Sequence, residues 1–234
     1  MSERAELVLV PGLNNTHAVF DGVVQALPGG VHAHAVDNPA LETVDDIARQ
    51  LLAGLPDRFW LAGFSFGGYV ALAMLAAAPA RVQGIALLCT TPFADSPAAA
   101  ASRQAALQAV ADGRYFELIE SQAAKAFHPD SLADPALMAQ RRRMVRDYGP
   151  ERFAAHVKAT RARADRADLL DGQCPTLVLS ASHDALYTPA FTASWANAIA
   201  GATHTVIEGA GHLAPMEKPV AVATALGRWM GLRA

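Results

Sequence analysis

At 234 residues, with 52% hydrophobic and 18% charged residues, the chain is long enough to bury a sizeable core in one α/β domain, or in one domain carrying an insertion. A formal net charge of −3 excludes both the strongly basic field of a nucleic-acid binder and a long acidic arm. The first apolar run breaks at Pro11-Gly12, too short for a signal-peptide core or a membrane span, so the expectation is a cytoplasmic protein acting on a small molecule.

ELVLV at 6–10 and VHAHAV at 31–36 are the first two predicted strands. Val44, Ile47, Ala48, Leu51 and Leu52 then recur at helical spacing, with Asp45, Asp46 and Arg49 turned outward, which predicts a crossover helix. RFWLAG at 58–63 is a third strand, followed by YVALAMLAAAP, apolar all round and so a buried helix ending near Pro79. GIALLC at 84–89, PTLVLS at 175–180 and HTVIE at 204–208 complete a set of six. The alternation predicts an α/β fold, a mostly parallel sheet flanked by helices, and the near-continuous apolar runs suit strands covered on both faces.

The alternation lapses after Pro92 and resumes near Cys174. The intervening stretch is rich in Ala and Arg without a convincing strand, which predicts a helical insertion over 94–172 in a core of 1–93 and 173–234. Tyr115, Leu118, Ile119, Gln122 and Ala126 share one helical face there, Leu137, Met144, Val145 and Tyr148 another, and Arg142, Arg143 and Arg146 face elsewhere, read first as a solvated outer face and second as a grip on an anionic substrate. Cys89 and Cys174 lie in or beside apolar runs with no CxxC spacing and read as buried, reduced thiols. His32 and His34 share a strand face, but no companion carboxylate is recognisable, so a structural role and no metal site are expected.

GFSFGG, Gly63 to Gly68, carries the chemistry. Between a strand and a helix, Gly-x-Ser-x-Gly holds its serine in a strained turn, and the residues two either side must be small. Ser65 is therefore a candidate nucleophile, with the helix N-terminus beneath it facing any developing negative charge. An alcohol needs a base, oriented in turn by a carboxylate. His212 lies on the Gly-rich loop after the last strand, and Asp184 on the loop after the preceding one; in a parallel sheet both loops share the Ser65 rim.

With those three residues in that order, the chain resembles the α/β-hydrolases over nearly its whole length; Asp184 with Pro189 resembles that family's acid loop, and GAGHLAPMEKP its histidine loop. The resemblance implies a serine hydrolase that cleaves small-molecule carboxylic esters without a cofactor, with the insertion as a lid and the family's first two strands missing. It leaves open a thioesterase, lactonase or carbon-carbon bond hydrolase, a receptor-like binding protein, and lyase or perhydrolase chemistry. It also implies an oxyanion hole from the amides of Phe66 and Leu13, the latter in Pro11-Gly12-Leu13 where the family carries His-Gly-x, with Asn14 or Asn15 bracing the loop. Asp95, after the fourth strand, is the alternative acid. Phe93, Phe116, Phe127, Tyr187 and Met216 are the candidate walls of an acyl pocket, whereas His183 and Asp37 read as structural.

Overall fold

Thr43 opens a helix by accepting a hydrogen bond from the Asp46 amide at 3.1 Å, and the Val44, Ile47, Ala48 and Leu52 that follow turn inward. The same local logic, apolar stripe plus polar cap, recurs along the structure, a computed structural model that describes residues 4–232. Strands are β1 Ala5–Val10, β2 Val31–Ala35, β3 Phe59–Phe64, β4 Val82–Leu88, β5 Thr176–Ala181 and β6 Thr203–Ile207. Helices of the core are α1 Asp21–Ala26, α2 Val44–Leu52 and α3 Phe66–Ala77. Between β4 and β5 run α4 Pro97–Ala111, α5 Tyr115–Ser121, α6 Ala123–Ala126, α7 Pro129–Leu132 and α8 Pro135–Ala162. Then come α9 Pro189–Ala196, α10 Ala214–Glu217 and α11 Pro219–Trp229.

The six strands form one sheet in the order β2-β1-β3-β4-β5-β6, every pair parallel. Side chains alternate between two cores. Leu7 and Leu9 of β1, Ala62 and Phe64 of β3, and Ala86 and Leu88 of β4 pack with Phe20, Val23 and Leu226 on one face. Val8 and Val10, Phe59 and Leu61, and Ile85 and Leu87 pack with Ile47, Val70 and Trp195 on the other. Burial on both faces explains why these strands are almost uniformly apolar. It also explains why α3, sandwiched beneath the sheet, has no polar face.

The chain leaves β1 toward β2 on one side and reaches β3 on the other, so a crevice opens at the carboxyl ends of β1 and β3. Val10 pairs with Gly63, which sets the loop after β1 against the turn after β3. Above this rim a third cluster, Tyr115, Ile119, Val145, Tyr148, Phe153 and Val157, holds the inserted helices together. Helix α8 breaks at Gly149, φ 78°, just before Pro150. Arg142, Arg143 and Arg146 are exposed, in keeping with the helical spacing. Among the described residues no helix is long and apolar enough to cross a membrane.

Candidate active site

Ser65 occupies a turn that few residues tolerate, φ 51° and ψ −117°. A Cβ on Gly63 would stand 2.3 Å from the Gly67 carbonyl oxygen, and one on Gly67 would stand 2.1 Å from that of Val10. The glycines are therefore required by contact with backbone, which cannot give way. The turn is tied to β4: the Ser65 amide donates to the Leu88 carbonyl at 2.8 Å, and the Thr90 hydroxyl to the Ser65 carbonyl at 2.7 Å.

From that position the Ser65 hydroxyl lies 2.9 Å from His212 Nε2, and His212 Nδ1 lies 2.8 Å from Asp184 Oδ2. The second oxygen of Asp184 accepts from the amides of Leu186 at 2.8 Å and Tyr187 at 3.0 Å. Burial pushes the Asp184 carboxyl up, but the charge of His212, its hydrogen bond and the two amides together hold it below the usual carboxylate range. The carboxylate is thus fixed and ionised. Phe64 and Tyr187 flank the imidazole, ring centroids 5.3 and 6.0 Å away.

It is Asp184, not Asp95, that reaches the histidine. Asp95 is taken up by Arg163, Nη1 to Oδ1 at 2.6 Å, and by Arg103 at 3.4 Å. Leu13 and Phe66 line the same cavity as Ser65, and their amides find no acceptor among the described residues. Asn15 braces the first of these loops by donating to the Leu13 carbonyl at 2.6 Å. Asn14, at φ 61°, is held from the insertion, its side-chain oxygen 3.1 Å from the Tyr115 hydroxyl.

The cavity over Ser65 has a volume of about 150 Å³. Of the aromatic and methionine side chains expected in its wall, Tyr187 is there, hydrogen-bonded to Tyr69. Four others are elsewhere, and this corrects the expectation. Phe93 packs edge-on to Phe191 and Trp195 under α9. Phe116 is 53% exposed and lines an outer groove along α5 and α8. Phe127 is buried against the Arg141 guanidinium and the backbone of Gly211. Met216 belongs to the core beneath the histidine loop. The wall comes instead from Ile119, Gln122, Ala126 and Val145 of the insertion, with Leu186 and Leu213 from the acid and histidine loops.

Among the described residues, two groups bring three potential metal-ligating side chains together. Glu6 of β1 lies beside His32 and His34 of β2, a carboxylate missed because it is supplied by cross-strand register, Glu6 opposite His32. The other is Cys89 with Asp184 and His212. Burial pushes the Cys89 thiol well up, and the neighbouring Asp184 charge adds to this, so the thiol keeps its proton. Cys174 is half-buried and also free. His183 faces His128 of the insertion, ring centroids 4.3 Å apart, and Asp37 holds the His17 amide at 2.7 Å.

A family model described as the alpha/beta hydrolase family matches residues 7–225. The chain belongs to the alpha/beta hydrolase family. As an alpha/beta hydrolase it superposes on a thermophilic esterase from Thermogutta terrifontis with a TM-score of 0.91 at 27% identity, covering 98% of this chain and 90% of that one. It superposes on the enol-lactonase from Burkholderia xenovorans LB400 with a TM-score of 0.85, over 98% and 92% of the two chains; at 22% identity this speaks for the fold alone. A curated relative is the pimeloyl-[acyl-carrier protein] methyl ester esterase of Nitrosomonas europaea. It is 35% identical over 95 residues, 37% of this chain, and the match spans only 38% of that protein's length.

Proposed function

We propose that this chain is a serine hydrolase of small-molecule carboxylic esters, working through an acyl-enzyme on Ser65. The observation that carries the reading is the continuous pair of hydrogen bonds from Ser65 through His212 to an ionised, buried Asp184, at the floor of a cavity. Similarity to an esterase structure at 27% identity supports the choice of ester over the other bonds this fold cleaves.

In this mechanism the Ser65 hydroxyl attacks the ester carbonyl and passes its proton to His212 Nε2. Asp184 keeps the Nδ1 proton in place and stabilises the imidazolium. The amides of Leu13 and Phe66 receive the oxyanion, each worth about 10²–10³ in rate. His212 gives the proton to the departing alcohol, then draws one from water, whose oxygen attacks the acyl carbon, and returns it to the Ser65 oxygen as that bond breaks. One water is consumed, and a carboxylic acid and an alcohol are released. The inserted helices over 94–172 act as a lid that limits water and shapes the acyl site.

Active-site titration with a fluorophosphonate, mapped by peptide mass, tests the reading together with turnover of p-nitrophenyl acetate, butyrate and octanoate. Stoichiometric labelling at Ser65 with ester turnover, best for the short chains that a 150 Å³ cavity admits, is the expected result. Saturable ligand binding without labelling would move the protein to the receptor-like class.

A further inference from the structure

Two arginines, Arg103 from α4 and Arg141 from α8, are among the residues that line the cavity over Ser65, and no aspartate or glutamate is among them. Neither cation is fully neutralised where it stands. Arg103 shares Asp95 with Arg163, which holds the carboxylate more closely, 2.6 Å against 3.4 Å, so two cations meet one anion and Arg103 carries the surplus. The Arg141 side chain is only 7% exposed, yet its carboxylate partner Glu120, at 2.8 Å, is 57% exposed and screened by water. Cations held in a small, partly dehydrated space favour an anion there and penalise an apolar group that cannot replace the lost hydration.

We infer that the substrate is an ester bearing a free carboxylate away from the scissile bond, with Arg103 as its principal receiver and Arg141 in support. This deepens the hydrolase reading above and rests on it. The geometry is compatible with the carboxylate on either the acyl or the alcohol side, and the test separates the two.

Two matched pairs of substrates serve: monomethyl glutarate against its terminal carboxamide, and 4-acetoxybutanoate against 4-acetoxybutanamide. Each pair keeps shape and changes charge. The expected result is a kcat/KM preference for the acid of about 10- to 100-fold in one pair, the yield of one charge-assisted hydrogen bond. The preference falls to near parity in Arg103→Gln and is partly kept in Arg103→Lys, mainly through KM. Acid-to-amide ratios at or below one in both pairs, or a preference that survives undiminished in both Arg103→Gln and Arg141→Gln, would overturn the inference. Labelling at Ser65 with turnover of p-nitrophenyl acetate but no acid preference sinks anion recognition alone; absence of both labelling and turnover sinks the hydrolase reading and this inference with it.

Discussion

The His156 imidazole of α8 lies stacked on the Phe66 ring, centroids 4.8 Å apart and planes 20° from parallel. Its Nε2 proton goes to the Pro39 carbonyl at 2.7 Å, and its Nδ1 accepts from the Tyr148 hydroxyl. An inserted helix thereby bears directly on the residue whose amide follows Ser65.

This contact predicts a pH-dependent stability. Burial, with the Pro39 carbonyl opposing and Arg152 assisting, lowers the His156 pKa from 6.5 to about 4. Between those values the unfolded chain binds a proton that the folded one refuses. The contribution is therefore full above pH 6.5 and declines as pH falls toward 4, by up to about 3 kcal/mol. Thermal melts across that range should show a Tm drop of about 6–12 °C. His156→Gln should flatten the slope; an unchanged profile would mean another group is responsible.

The two aspartates at the rim are predicted to fail differently. Asp184→Asn should lower kcat by up to about 10⁴ while Ser65 remains in its turn. Asp95→Asn removes the charge partner of Arg163, itself 4% exposed, and should cost about 3 kcal/mol in a urea melt without a comparable fall in kcat per folded molecule. The reverse pattern would make Asp95 the acid.

Gly67→Ala is expected to abolish both Ser65 labelling and ester turnover, because its Cβ would meet the Val10 carbonyl at 2.1 Å. Far-UV circular dichroism should stay native, since the damage lies in one turn. A variant that labelled at the normal rate would contradict the packing described for the elbow.

Glu217 links two loops, accepting from the Gly211 amide at 3.0 Å and from the His128 amide at 2.8 Å. Glu217→Ala should lose about 3 kcal/mol through two charge-assisted bonds, a Tm fall of about 6–12 °C. Hydrogen exchange should rise at both loops together; a rise at one alone would show that they are not coupled.

The four inner strands were legible because each is covered on both faces, so the apolar runs at 6–10 or 84–89 had no competing explanation, whereas the edge strands β2 and β6 are partly exposed and were read from alternation with helices. Ser65, Asp184 and His212 were legible because each lies in the loop at the carboxyl end of a strand, and in a parallel sheet those loops share one rim. The cavity wall was not. Phe116 and Ile119 lie three residues apart on α5, one half-exposed and the other in the cavity, and only the packing of α8 decides which turns in. Arg141 shares a charge run with Arg142 and Arg143, and its place four residues from both Leu137 and Val145 is the one signal that it turns in. The Glu6 companion to His32 and His34 needed the β1–β2 register.

The bonds around Glu217 carry a consequence for how the molecule assembles. The Leu213 amide also donates to the Ala126 carbonyl at 3.1 Å, and a side chain on Gly211 would stand 2.6 Å from the His128 nitrogen. The loop that delivers His212 thus lies against the 126–128 backbone, tied to it by one backbone hydrogen bond and by the Glu217 carboxylate. Trimming the insertion back to a bare sheet would not uncover a working site. It would remove the Ala126 and His128 backbone contacts that hold the histidine loop, so the loop's position would be lost with the insertion.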